Sequence, residues 1–163
     1  MIHKTHPLAT KLIATALNNT QQLYQLLNEE SILLKAKGQT QALDLIVQKK
    51  NALVSELNTF TSQVEQLLAS EKLSKQDGMI QYFAIAKQTD IDTTESLSNW
   101  QKLSELSKKC RTLNEQNGAS IHILNQHTQR ILSILKGKPQ TTNTYSRDGR
   151  AKSTPYSRTL VSV

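Results

Sequence analysis

One pattern constrains this chain more than any other. Apolar or small residues recur at Trp100, Leu103, Leu106, Cys110, Leu113, Asn117, Ile121, Leu124, Thr128, Ile131 and Leu135, each step three or four residues long. That period keeps one face of an α-helix turned to the same side. Asp92, with Glu95 three residues on, reads as a capping box that starts the helix. Gly137 and Pro139 stop it, the first by accepting a left-handed backbone and the second by lacking an N–H. Gly118 falls inside the pattern and costs about 1 kcal/mol relative to alanine. The stripe keeps its phase across Gly118, so the spacing predicts one helix from Thr93 to Lys136, about 65 Å long.

Two more seams precede it. Ile13, Leu17, Thr20, Tyr24, Leu27, Ser31 and Leu34 alternate steps of four and three, widened by Leu12, Leu23, Leu26 and Leu33. Pro7 suits the first turn of this helix, where its missing N–H has no helical partner, and Gly38 suits its end. From Thr40 to Ser70 the seam reads Leu43, Ile46, Lys50, Leu53, Leu57, Phe60, Val64 and Leu67, flanked by Val47, Val54 and Leu68. Lys50 is its one polar break; its aliphatic stem can cover the seam while the ammonium reaches water. Two helices of about 45 Å joined by a short turn predict an antiparallel hairpin. Residues 71–91 are less regular, with a turn at Asp77-Gly78 and a short helix over Met79–Lys87 that turns Met79, Phe83 and Ala86 inward. The fold class is all-α: a helical hairpin plus a third long helix. The third helix is too long for the hairpin to cover, so part of its stripe must pack on the short helix, a second copy or a partner. Residues 1–137 form the helical domain. Residues 138–163 are polar and basic, with almost no apolar content before Leu160, and are expected to be a flexible, disordered tail.

The 163-residue length suits one domain. Five glycines and three prolines are too few for an all-β fold, and the glycines stand singly, so no phosphate-cradling turn exists. No apolar run approaches the ~18 residues of a membrane span. Leu12–Leu17 is too short for a signal peptide, and Cys110 alone forms no internal disulfide, so the expected location is cytoplasmic. The net charge of +7 raises nucleic-acid binding. The tail from Gly137 carries five basic residues against Asp148 alone, however, and the preceding 136 residues carry 15 against 12. A nearly balanced body with a basic tail fits solubility or weak electrostatic contacts better than duplex reading.

No catalytic set emerges. His122 and His127 are five apart and out of register on a helix, so they do not converge on a metal. Cys110 lies on the apolar stripe and reads as a small buried hydrophobe. The carboxylates are scattered along polar faces. The expectation is therefore a non-enzyme with no cofactor, metal or small-molecule substrate. The informative segment is Arg111–Ala119, where Asn117 occupies an inward position beside Gly118. It reads either as a polar register-setter with a helix bend or as a contact surface for an incoming helix or extended peptide. Tyr145, ahead of an Asp148-Gly149 turn in a polar tail, has no core to fill and suits short-motif docking.

These residues carry a resemblance. Leu113-Asn114-x-x-Asn117-Gly118, the Gln- and Leu-rich helix ending near Gly137, and Thr144-Tyr145-x-x-x-Gly149 with the terminal Leu160-Val161-Ser162-Val163 are similar to the FlgN family of flagellar export chaperones. Lys49-Lys50-x-x-Leu53-Val54-x-x-Leu57 fits that family's second helix. One departure is Ser146, where glycine is expected. The resemblance implies a cytosolic chaperone for the hook-associated proteins of the hook–filament junction. It would hold their aggregation-prone terminal helices before type III export and deliver them to the export gate protein. On that view Leu113, Asn114, Asn117, Ile121 and Leu124 contact the client and Tyr145 docks at the gate. A coiled-coil structural protein, or a nucleic-acid binder acting through the basic tail, is the alternative.

Overall fold

A computed structural model describes residues 2–36, 40–74, 78–135, 143–145 and 151–153. The helices are α1 (Ile2–Lys35), α2 (Thr40–Ser70), α3 (Gly78–Gln88) and α4 (Thr94–Leu135). By contacts along the chain they divide into two compact units, Met1–Gly118 and Ala119–Val163.

Within the first unit, cross-helix hydrogen bonds fix the directions. Thr5 reaches Glu71, Asn19 reaches Glu56 and Glu30 reaches Lys50, so α1 and α2 run antiparallel, as the two seams predict. Thr10 meets Ser96, Thr20 meets Cys110 and Leu27 meets Asn117, so α1 and the first part of α4 run parallel. The core gathers at one end, where Ile2, Ala9 and Ile13 of α1 meet Leu67 and Leu68 of α2 and Met79, Tyr82, Phe83 and Ala86 of α3. Tyr82 and Phe83 meet edge to face at 5.8 Å, a favoured aromatic geometry. All three inward positions expected of the short helix are buried there, and Tyr82 joins them.

Several boundaries shift. Pro7 does not open α1 but lies inside it, because the helix begins at Ile2. An interior proline loses one backbone hydrogen bond and costs about 3 kcal/mol. Extending the helix buries Ile2, a gain of about 1.5–3 kcal/mol, and brings Thr5 within 2.7 Å of Glu71 and 3.0 Å of the Tyr82 hydroxyl. At α4 the Thr93 carbonyl accepts the first helical bond from Leu97, while Asp92 Oδ1 accepts the Thr94 N–H at 3.0 Å. That contact holds the Asp92 carboxyl below its ordinary pKa. Val47 and Val54, expected beside the α2 seam, are exposed. Gly38 and Asp77 lie outside the described residues.

α2 and α3 end alike. Leu73 N–H bonds to Leu68 O and Lys72 N–H to Ala69 O, with Lys72 at φ 62°. Ile91 N–H bonds to Ala86 O and Asp90 N–H to Lys87 O, with Asp90 at φ 57°. Both are Schellman endings with a non-glycine residue in the left-handed position. In the second unit, α4 continues without a break through Leu135. Asn143–Tyr145 there pairs antiparallel with Ala151–Ser153, Tyr145 opposite Ala151. The Asp148-Gly149 turn signal falls between these strands but outside the described residues.

Candidate functional site

The polar break in α2 and the polar position in α4 belong to one cluster. Glu30 is buried, and its carboxylate accepts Lys50 Nζ at 2.9 Å on Oε1 and 2.8 Å on Oε2. Asn117 Nδ2 donates to Glu30 Oε2 at 2.9 Å and to the Leu27 carbonyl at 2.8 Å. Lys50 Nζ also donates to Asn114 Oδ1 at 3.3 Å. The Lys50 ammonium therefore turns to an internal carboxylate rather than simply outward to water, and its side chain is only 18% exposed. A buried charge is tolerated only when paired and hydrogen-bonded, and this carboxylate has both forms of support. The cluster joins α1, α2 and α4 at a single height, which is what a register-setting polar group does. Asn117 is 3% exposed, so its amide is engaged internally. Asn114 lies on the exposed rim of the cluster, and Leu113 is half-buried beside it.

Below the cluster Cys110 is buried and its thiol lies 3.7 Å from the Thr20 carbonyl; burial pushes its pKa up, away from the reactive thiolate. Two adjoining clefts share Phe60, Thr61 and Trp100: one of about 260 Å³ between α2 and α4, and one of about 240 Å³ that also reaches Gly78 and Met79 of α3. Among the described residues no group of three or more His, Cys, Asp or Glu could hold a metal ion. No helix there is long and apolar enough to cross a membrane.

The stripe on α4 changes character after Asn117. Leu103, Cys110 and Asn117 are buried, whereas Ile121 is 38% exposed and Leu135 76%. Ile123, Leu124, Ile131 and Leu132 are exposed as well. No residue of α4 described after Asn117 is buried. The apolar period thus continues for four more turns, and among the described residues no side chain seals it. A Cβ built at Gly118 would meet nothing within 4 Å, so no neighbouring backbone crowds the glycine. His122 engages Gln126 one turn on at 2.9 Å rather than His127.

The five client-contact candidates therefore separate. Asn117 is internal, Leu113 and Asn114 border the polar cluster, and Ile121 and Leu124 are open. Tyr145 lies on a strand, and its side chain is outside what the structure describes. Sequence reasoning missed Glu30, which reads as an ordinary solvated acid although it falls in step with Leu23, Leu26 and Leu33, the residues that widen the α1 stripe.

The FlgN protein family model matches residues 9–153 of this chain. The chain belongs to the FlgN family. The match takes in all of α2, α3 and α4 and both short strands, including the Asn117-Gly118 and Tyr145 elements. The family is one of flagellar export chaperones, and its helical bundle is what the structure shows. No curated protein and no solved structure matches.

Proposed function

We propose that this FlgN-family chain is a type III export chaperone for hook-associated proteins, holding their terminal amphipathic helices and delivering them to the export gate. The observation that carries this reading is the open apolar continuation of α4 from Ile121 to Leu135. An amphipathic helix with one apolar face unsealed fits another helix laid along it. Such binding needs no catalysis. It lowers the free concentration of unassembled client by mass action.

Ile121 and Leu124 are the apolar client contacts. Leu113 and Asn114 lie on the same helix beside the polar cluster, where burial begins, and Asn117 acts from inside by holding α4 in register. Tyr145 is the gate-docking residue, a role that rests on the family resemblance and the strand that carries it.

The test is calorimetric titration of the full chain with the terminal segments of hook-associated proteins. Ile121→Asp should weaken client binding by about tenfold or more, since a charge on a face that becomes buried costs more than 1.4 kcal/mol. Unchanged affinity would remove this surface from the account. Tyr145→Ala should weaken pull-down of the export gate protein and spare client binding. Equal loss of both would end that division of labour. Concentration-dependent self-association without any client would favour a coiled-coil structural protein instead.

A further inference from the structure

The helix α4 sheds its charges where its apolar stripe opens. From Thr94 to Asn117 it carries seven residues of the Asp, Glu, Lys and Arg types, and from Gly118 to Leu135 it carries one, Arg130. A helix face meant to stay in water ordinarily holds a good share of charged residues. A stretch that is both open and almost uncharged is suited to being covered.

The polar residues of that stretch say by what. Ile121, Leu124, Thr128, Ile131 and Leu135 form the stripe, and the Thr128 hydroxyl donates to the Leu124 carbonyl at 3.0 Å, so it is satisfied within the helix. Ser120, Asn125, His127 and Leu132 border the stripe, and all four are exposed. At 3.6 residues per turn Arg130 falls about 140° from the centre of the stripe, on the far side of the helix. In a helix pair the bordering positions commonly carry the charges that choose the partner. Here they offer a hydroxyl, an amide, an imidazole and a leucine.

We infer that the occupant of the Ile121–Leu135 face is an amphipathic helix of a partner protein whose own bordering residues are uncharged and hydrogen-bonding: Gln, Asn, Ser or Thr. This rests on the helix-holding function proposed above and adds the chemistry of the guest. A Glu or Lys on the guest would lose water against this border without gaining an ion pair. An amide or hydroxyl exchanges its bonds to water for bonds to Asn125, His127 or Ser120. An anionic lipid surface is a poor match. Helices that lie in membranes carry Lys and Arg on the polar face and often Trp or Phe on the other, whereas this stretch has Arg130 alone and no Trp, Phe or Tyr. A second copy shares the uncharged border, but each chain carries a net charge of +7, and like-charged chains repel.

The experiment uses the full chain and three designed helical peptides. They share one Leu/Ile stripe and differ only in the bordering residues, which are Glu, Gln or Lys. Calorimetry is run at physiological ionic strength, where distant charges are screened, and at about pH 8, above the ordinary histidine range. The Gln peptide should bind about tenfold more tightly than either charged peptide, with an affinity that changes less than about twofold when salt is raised. The double substitution Asn125→Glu/His127→Glu should make the Lys peptide the tightest of the three and its binding salt-dependent. A charged peptide that matches the Gln peptide on the native chain, or an order of affinities unchanged by the double substitution, would overturn the border chemistry while leaving the helix-holding function standing. Binding of none of the three would overturn both. Binding to phosphatidylserine vesicles with no binding of any peptide would assign the face to lipid. Dimerisation that the Gln peptide does not reverse would assign it to a second copy.

Discussion

Glu30 shows how much one residue outside the seams can decide. Its carboxylate is 2% exposed and takes hydrogen bonds from Lys50 and Asn117. A buried ion pair is nearly neutral against an apolar pair of the same volume, but removing one partner leaves an uncompensated charge. Lys50→Met should therefore destabilise the chain by about 2–4 kcal/mol in urea unfolding, the lower part of that range reflecting the partial exposure of Lys50. Adding Glu30→Leu should recover most of the loss, and a double mutant no better than the single one would contradict the account. Two of the three members were visible in the sequence, Lys50 and Asn117, because each interrupts an apolar period. Glu30 interrupts only the flanking series Leu23, Leu26 and Leu33, and an acid at the flank of a seam looks the same whether it faces water or a lysine 20 positions away. Two buried acids of another kind set an alkaline limit. Burial raises the pKa of Cys110 and of Tyr82, so both stay protonated in the folded state after the unfolded chain has lost its protons. Their contribution is intact below the ordinary values of 9.0 and 10.0 and is lost as pH rises through the raised ones. Thermal unfolding followed from pH 8 upward should show the melting temperature falling above about 9, and Cys110→Ala should remove the earlier part of the fall.

At the level of elements, apolar spacing foretold existence and type, and caps decided the edges. The α2 limits and the unbroken passage of α4 across Gly118 follow from periods of three and four. The start of α1 does not, because a proline at position 7 argues locally for a later start, and only the distant contacts of Ile2 and Thr5 with the core end outweigh it. The way α2 and α3 are capped was equally hidden. No glycine marks them, yet Lys72 and Asp90 take the left-handed backbone that glycine adopts without cost. The left-handed conformation costs an L-residue about 1–2 kcal/mol, part of which glycine returns through its greater freedom when unfolded. Lys72→Gly should thus raise stability by about 0.5–1 kcal/mol without changing the helix content seen by circular dichroism. Gly118→Ala is the mirror case. It lies in a helix interior with open space around the missing Cβ, so the substitution should add up to about 1 kcal/mol. A loss instead would show that the glycine serves a bend or a close approach in the native chain.

For the molecule as a whole, what matters is that one continuous apolar period serves two purposes. From Trp100 to Asn117 it is consumed by the first unit, and from Ile121 onward it is left open among the described residues. The sequence disclosed the period and, through the relative helix lengths, a shortage of cover. It could not show that the change falls at Asn117, because that depends on which residues of α1 and α2 reach α4. Identical chemistry at two points of the stripe should then give opposite results. Leu103 is 6% exposed, and Leu103→Ala should cost about 2–4 kcal/mol of stability through lost burial and the cavity left behind. Client affinity, measured where the variant is still fully folded, should hold. Leu124 is 47% exposed, and Leu124→Ala should change stability by no more than about 0.5 kcal/mol, since an open side chain gives up little on truncation. Its client affinity should fall severalfold, because the same side chain becomes buried once a guest helix lies on it. Urea unfolding and calorimetry on both variants separate these outcomes. If Leu124→Ala instead destabilised the free chain as much as Leu103→Ala, the open half of α4 would be part of the chain's own core, and the guest would have to bind elsewhere.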